Sequence, residues 1–174
     1  MSMTIFATKF FVPPPLKAIA RPHLVERLDG GVSRRLTLVC ASAGFGKSTL
    51  LSEWVNACQY PSAWLSLDEG DGDVIHFLTH LIAALQTISE TVVAGISNLL
   101  LTVPAPPADS ALSMLLNNLF NSQTKLVLVL DDYHLVASKR VDAALAFLIE
   151  HLPPQLHLVI STREEPAFSL SRQR

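Results

Sequence analysis

Four short apolar runs, separated by segments of helical periodicity, constrain this chain more than any other feature. They are Leu36-Thr37-Leu38-Val39-Cys40-Ala41, Ala63-Trp64-Leu65-Ser66-Leu67, Leu126-Val127-Leu128-Val129-Leu130 and Leu156-His157-Leu158-Val159-Ile160. Runs of this length bounded by polar or Gly-bearing segments read as strands. The third is apolar at every position, so both of its faces must be covered. Continuous apolar strands alternating with helices imply a parallel sheet with helices on each side, a three-layer α/β fold.

The intervening segments supply those helices. A short helix is expected after Pro22, through Leu24 and Leu28, stopping at Gly30-Gly31. Between Lys47 and Cys58, apolar residues at 50, 51, 54, 55 and 58 mark one helix face. Asp73 is placed to cap a helix carrying Ile75, Phe77, Leu78, Leu81, Ile82 and Leu85. Residues 104–107 read as a linker, after which Asp109 or Ser110 opens a helix with Leu112, Leu115, Leu116 and Leu119 inward. A last helix carries Val141, Ala144, Leu145 and Leu148. Before all of these, residues 1–20 read as an extended arm, since Pro13-Pro14-Pro15 favour polyproline conformation. Residues 21–174 then form the domain.

Composition narrows the setting. With 174 residues, 49% hydrophobic and 16% charged, the chain suits one folded domain plus a short arm and is not disordered. A net charge of -2 and a pI near 6.3 give no basic field for nucleic acid. Cys40 and Cys58 form no CxxC pair, which fits a reduced, cytoplasmic setting. Mean hydropathy of +0.37 raises the question of a membrane span. The longest uncharged stretch, 91–108, contains Gly95, Pro104, Pro106 and Pro107, so no membrane helix is expected. The N-terminus lacks an apolar signal core. Low charge instead suggests a surface covered within a larger assembly.

Chemistry concentrates at two strand ends. Residues 41–48 read Ala-Ser-Ala-Gly-Phe-Gly-Lys-Ser, with Thr49 next, a Walker A pattern between a strand and a helix. Gly44 and Gly46 let backbone amides converge on a phosphate, and the helix N-terminus favours the anion. Ala43, Gly44, Phe45, Gly46, Lys47, Ser48 and Thr49 are the candidate nucleotide contacts. Lys47 would reach the β- and γ-phosphates and Ser48 would hold Mg²⁺. A dinucleotide fingerprint fails, because Thr49 stands where a third Gly or Ala is needed.

The third strand ends in Asp131-Asp132, at the edge where ligands bind in such sheets. Asp131 is the candidate Mg²⁺ ligand. Asp132 is the candidate group that orients or deprotonates an attacking water. After the fourth strand, Thr162 or Arg163 could sense the γ-phosphate, or Arg163 could pair with Glu164 or Glu165. Three other signals read as structural. His76 and His80 lack the metalloprotease Glu, the acidic turn 68–73 lacks the twelfth-position Glu of a calcium loop, and Trp54 and Trp64 are core.

Taken together, these residues resemble the MalT-like branch of the LuxR-type regulators, in the STAND class of P-loop ATPases. The resemblance runs through Thr8-Lys9-Phe10, Arg21-Pro22-His23-Leu24, Ala43 to Leu51 with Glu53-Trp54, Trp64 to Glu69 with Asp71 and Asp73, Leu130 to His134, and Ile160 to Arg163. His23 stands where the family often has Arg, so only Arg21 is carried over as a nucleotide contact there. Ser42 and Gly72 replace a frequent Pro and Asn. The resemblance implies a P-loop NTPase sheet of strand order 2-3-4-1 with a fifth strand missing. It also implies an ATP/ADP switch with Mg²⁺ and slow hydrolysis, self-association of the full-length ATP-bound protein, and DNA binding through a C-terminal domain absent from this chain. Nucleotide binding is expected to be incomplete. Two alternatives stay open, a P-loop small-molecule kinase and a catalytically silent nucleotide-binding fragment.

Overall fold

The structure, a computed structural model, describes residues 6–15 and 19–166. Residues 1–5 and 16–18 of the expected arm, and 167–174 at the end of the expected domain, lie outside the described residues. Four strands, β1 (Leu36–Cys40), β2 (Ser62–Ser66), β3 (Leu126–Asp131) and β4 (Leu156–Thr162), form one sheet of order β1-β4-β3-β2. All pairs are parallel. This is the expected 2-3-4-1 order read from the opposite edge. The C-terminal ends of all four strands therefore open on the same side of the sheet.

The helices are α1 (Pro22–Gly31), α2 (Lys47–Ala57), α3 (Val74–Gln86), α4 (Ile96–Leu100), α5 (Ala108–Phe120) and α6 (Lys139–His151). Strand alternation divides the core between the two faces. Leu126, Leu128 and Leu130 of β3 join Leu156, Leu158 and Ile160 of β4 under α3–α6. Val127, Val129 and Val159 point the other way, onto Leu51 and Trp54 of α2 and Leu28 of α1. The all-apolar β3 run is thus explained by two separate cores, one on each face. Every side chain of β3 and β4 is buried.

Helix ends follow the local chemistry. The Asp73 carboxylate accepts from the Ile75 and His76 amides, both at 3.0 Å, and starts α3. Ser138 caps α6 by accepting from the Val141 amide at 3.4 Å. Two expectations need correction. α5 begins at Ala108, with Pro107 at its N-cap and Asp109 in the first turn, so neither Asp109 nor Ser110 opens it. Pro107 has the φ that pre-sets a helix entry. The uncharged stretch 91–108 also holds the unanticipated α4. Gly95 enters it at φ 78°, a left-handed conformation that glycine adopts without cost. Asn118 of α5 secures the segment by donating to the Val92 and Ala94 carbonyls. No helix among the described residues is long and apolar enough to cross a membrane.

The arm is not extended throughout. Ala7–Phe10 form a 3-10 turn beside β2, because Lys9 is drawn inward. Its ammonium contacts the Asp71 carboxylate at 2.6 Å and Asp68 at 2.9 Å. Asp71 is fully buried and also meets His80 Nδ1 at 2.6 Å. Farther along, the Ser52 hydroxyl of α2 donates to the Pro13 carbonyl. Phe10 packs on one core and Val12 on the other, so the arm wraps the β2 edge and shields it from edge pairing. The acidic turn 68–73 is a capping structure, as expected. Asp68 accepts from the Gly70 amide and Asp71 from the Asp68 amide. His80 is a buried structural histidine and His76 is exposed.

Asp71 carries a pH prediction. Burial alone would push its carboxyl up, but hydrogen bonds from His80, Lys9 and the Asp68 amide, with the Lys9 charge, hold it at about 2. A folded pKa below the unfolded value means stability that is present above about pH 4 and lost as pH falls toward 2. Asp71→Asn is expected to cost about 2 kcal/mol at pH 7, measured by urea unfolding. The gap between parent and variant should narrow between pH 4 and 2. A gap that stays constant with pH would rule out this ion pair as the cause.

Candidate functional site

The site assembles where the loop after β1 meets the ends of β3 and β4. Gly44 and Gly46 have φ of 82° and 72°, a region that L side chains enter only with strain. They turn the loop so that α2 begins at Lys47, immediately after Gly46. Ala43, Gly44 and Phe45 are exposed, Ser48 and Thr49 are half-buried, and Lys47 is buried. The Lys47 ammonium donates to the Ala41 carbonyl at 2.6 Å and the Ser42 carbonyl at 3.1 Å, so it is held across the loop by the loop's own backbone. Arg21 reaches the same loop from the entrance of α1. Its guanidinium donates to the Phe45 carbonyl at 2.7 Å and lies over Gly46.

Asp131 sits opposite. The register pairs Ser66 of β2 with Asp131, and Leu130 with Ile160 of β4, so Ser161 stands beside Asp131. The Ser161 hydroxyl donates to Asp131 Oδ1 and accepts the Asp132 amide at 3.1 Å. The Ser48 hydroxyl lies near enough to the Asp131 carboxylate to favour its charged form. The two residues selected as Mg²⁺ ligands therefore lie close together. Burial pushes the Asp131 carboxyl up and the Asp132 charge adds to this, while the Ser161 hydrogen bond and the nearby Ser48 hydroxyl oppose it.

Asp132 follows in the left-handed region, φ 60° and ψ 38°. Its side chain is 41% exposed and so open to water. Arg163 is exposed just beyond β4, and among the described residues it makes no ion pair with Glu164 or Glu165. Thr162 is buried, and its hydroxyl donates to the Glu164 carbonyl. Position alone therefore favours Arg163 over Thr162 as the residue free to meet a ligand. Ser161 is the residue that sequence reasoning missed as a site member. Its signal was the register, since a serine level with Asp131 on the neighbouring strand must face the same crevice.

The oxygen donors at Ser48 and Asp131 fit Mg²⁺, a hard cation that takes one or two protein oxygens together with phosphate and water. Among the described residues, no group of three or more His, Cys, Asp or Glu side chains could hold a metal by itself. Beside the loop lies a cavity of about 380 Å³, lined by Arg21, Leu24 and Leu28 of the α1 region, Leu38 and Cys40 of β1, and Phe45.

The sheet order, the strand–loop–helix at Gly44–Gly46 and the acidic end of β3 define an α/β P-loop fold. No protein-family model matches the chain. Among solved structures, it is similar over 82% of its length to a chain in the structure of Drosophila ORC bound to AT-rich DNA and Cdc6, with TM-score 0.55, 13% identity and 46% of that chain covered. Cdc6p of Pyrobaculum aerophilum matches 88% of the chain, with TM-score 0.54, 18% identity and 41% of that chain covered. The Walker-type ATPase PABY2304 of Pyrococcus abyssi matches 82%, with TM-score 0.52, 16% identity and 45% of that chain covered. These likenesses speak for the fold.

Sequence comparison is more specific. The HTH-type transcriptional regulators MalT of Klebsiella pneumoniae strain 342 and of subsp. pneumoniae strain ATCC 700721 / MGH 78578 are each 33% identical to the chain over 156 residues, 90% of its length. The chain is thus similar to MalT over most of its own length and carries an α/β P-loop fold. It spans 17% of the length of these relatives.

Proposed function

We propose that this chain is the ATP-binding, slowly hydrolysing switch module of a MalT-like transcriptional regulator. The glycine loop that turns into α2 at Lys47, with the buried Asp131 carboxylate at the end of β3 on the same side of the sheet, is the observation that carries the reading. A loop able to cradle phosphate, a lysine at its helix start and a buried carboxylate opposite are the parts phosphoryl transfer needs. In this reading Lys47 leaves the Ala41 and Ser42 carbonyls for the β- and γ-phosphates. Backbone amides around Gly44 to Thr49 hold the phosphates, and Arg21 and Arg163 add positive charge from either side. Ser48 and Asp131 would hold Mg²⁺, which when bound would neutralise developing phosphate charge. Asp132 orients the attacking water. The cavity beside β1 is of a size that takes a nucleoside. Within a full-length cytoplasmic regulator, the ATP form would self-associate and act on DNA through a separate C-terminal domain.

The test is titration of the chain with Mg-ATP and Mg-ADP by calorimetry, followed by phosphate release from ATP with no acceptor added. Saturable binding of both nucleotides and slow phosphate release are expected. Binding with transfer only to an added acceptor would favour the kinase reading. Binding with no turnover in either condition would favour the silent fragment. No binding of either nucleotide would overturn the proposal.

A further inference from the structure

The N-terminal arm has two polar anchors, and each grips an element next to one of the candidate metal residues. The first anchor is Lys9. Its ammonium lies 2.6 Å from the Asp71 carboxylate and 2.9 Å from Asp68, the two side chains that cap the turn Glu69–Gly72. That turn follows closely on β2. Leu67, between strand and turn, donates its amide to the Asp131 carbonyl at 3.0 Å, and Ser66 pairs with Asp131 in the sheet. The second anchor is the Pro13 carbonyl, which accepts from the Ser52 hydroxyl of α2. Ser52 is four residues after Ser48, one turn along the same face of the helix.

The arm therefore spans from the strand end that carries Asp131 to the helix that carries Ser48. Between its anchors it crosses the β2 edge, with Phe10 on one core and Val12 on the other. Both anchors are sheltered from water. Asp71 and Ser52 are fully buried, and the Lys9 side chain is only 11% exposed. Leu51 and Trp54 of α2 also share a core with Trp64 of β2, but apolar contact is non-directional. The hydrogen-bonded anchors fix one position of the arm on each element, because a donor and an acceptor must meet within a few tenths of an ångström.

We propose that the arm is a strap that sets the spacing of Ser48 and Asp131, with Lys9 and Ser52 as positioning residues for a Mg-nucleotide. Docking of the arm and binding of Mg-nucleotide then favour each other by the same factor, as linkage requires. This inference rests on the proposed nucleotide site and adds to it a control from outside the glycine loop and the strand ends.

The experiment compares the parent chain with Lys9→Met, Ser52→Ala and the two combined. It reads ADP affinity with and without Mg²⁺, chymotrypsin cleavage at the exposed Phe6 and Phe11, and melting temperature. Each single variant should bind Mg-ADP about tenfold more weakly, while ADP without Mg²⁺ binds as it does to the parent. The combined variant should lose no more than either single one, because a strap freed at one end transmits nothing. In the parent, saturating Mg-ADP should slow arm cleavage by the same factor, and in the variants it should not. Lys9→Met should also lower the melting temperature, since Asp71 stays buried without its cation. If that variant does not fold, Ser52→Ala alone decides, with the same expectations. A parent that binds Mg-ADP no better than variants with a freed arm would overturn the strap alone. Losses that add in the combined variant, or that appear equally without Mg²⁺, would also overturn it by showing separate packing effects. A parent that binds no nucleotide would overturn this inference and the nucleotide site together.

Discussion

In the Lys47→Ala variant, Mg-ATP should no longer raise the melting temperature. A ligand present at about a hundredfold over its Kd adds roughly 2.7 kcal/mol to folding stability. In a domain of this size, that corresponds to a shift of about 5–10 °C. Lys47 is the buried ammonium of the loop, held by the carbonyls of Ala41 and Ser42. In the variant those carbonyls return to water, since Ala41 is half-buried and Ser42 exposed, so the ligand-free melting temperature should move little. What disappears is the cation that would face the β- and γ-phosphates. Differential scanning fluorimetry across a Mg-ATP titration reads both effects at once. Parent and variant rising equally would place the nucleotide elsewhere.

The second large effect is on turnover. Asp132→Asn should lower phosphate release by about 10²- to 10⁴-fold while the Mg-ATP-dependent stabilisation survives. The substitution is clean for a conformational reason. Asp132 lies at φ 60° and ψ 38°, and Asn enters the left-handed region about as readily as Asp. Backbone geometry and the amide contact to Ser161 should persist, leaving only the lost charge. Single-turnover phosphate release, with binding measured in parallel, separates the chemistry from affinity. An Asn variant hydrolysing at the parental rate would show that the Asp132 carboxylate does not act on the water.

Much of this architecture is legible in the sequence because burial writes it directly. Val127 and Val129 face one core while Leu126, Leu128 and Leu130 face the other, and that two-sided demand is what made the run uniformly apolar. Asp73 caps a helix through contacts two and three residues away, so its role needs no knowledge of tertiary structure. The glycines of the loop are similarly local. What escaped depends on distant partners. Lys9 bends the arm through Asp71, 62 residues on, and no local pattern carries that contact. α4 has five residues, too few for a helical period to emerge, and the turn that leads into it is held by Asn118 from another element. Ser161 stands in the polar cluster after the fourth strand, but its contact with Asp131 became visible only with the β3–β4 register. The strand-end motifs could be named from the chain, whereas the hydroxyl joining them could not.

That hydroxyl has a consequence. The Ser161 hydroxyl donates a hydrogen bond to Asp131 and accepts one from the backbone amide of Asp132, so one oxygen atom gears two neighbouring acidic residues. Whatever pulls Asp131 Oδ1 forward also tugs the peptide that aims Asp132. In the proposed switch, loading of a divalent ion at Asp131 and alignment of the nucleophile by Asp132 would then be a single mechanical event, timed by the serine between them.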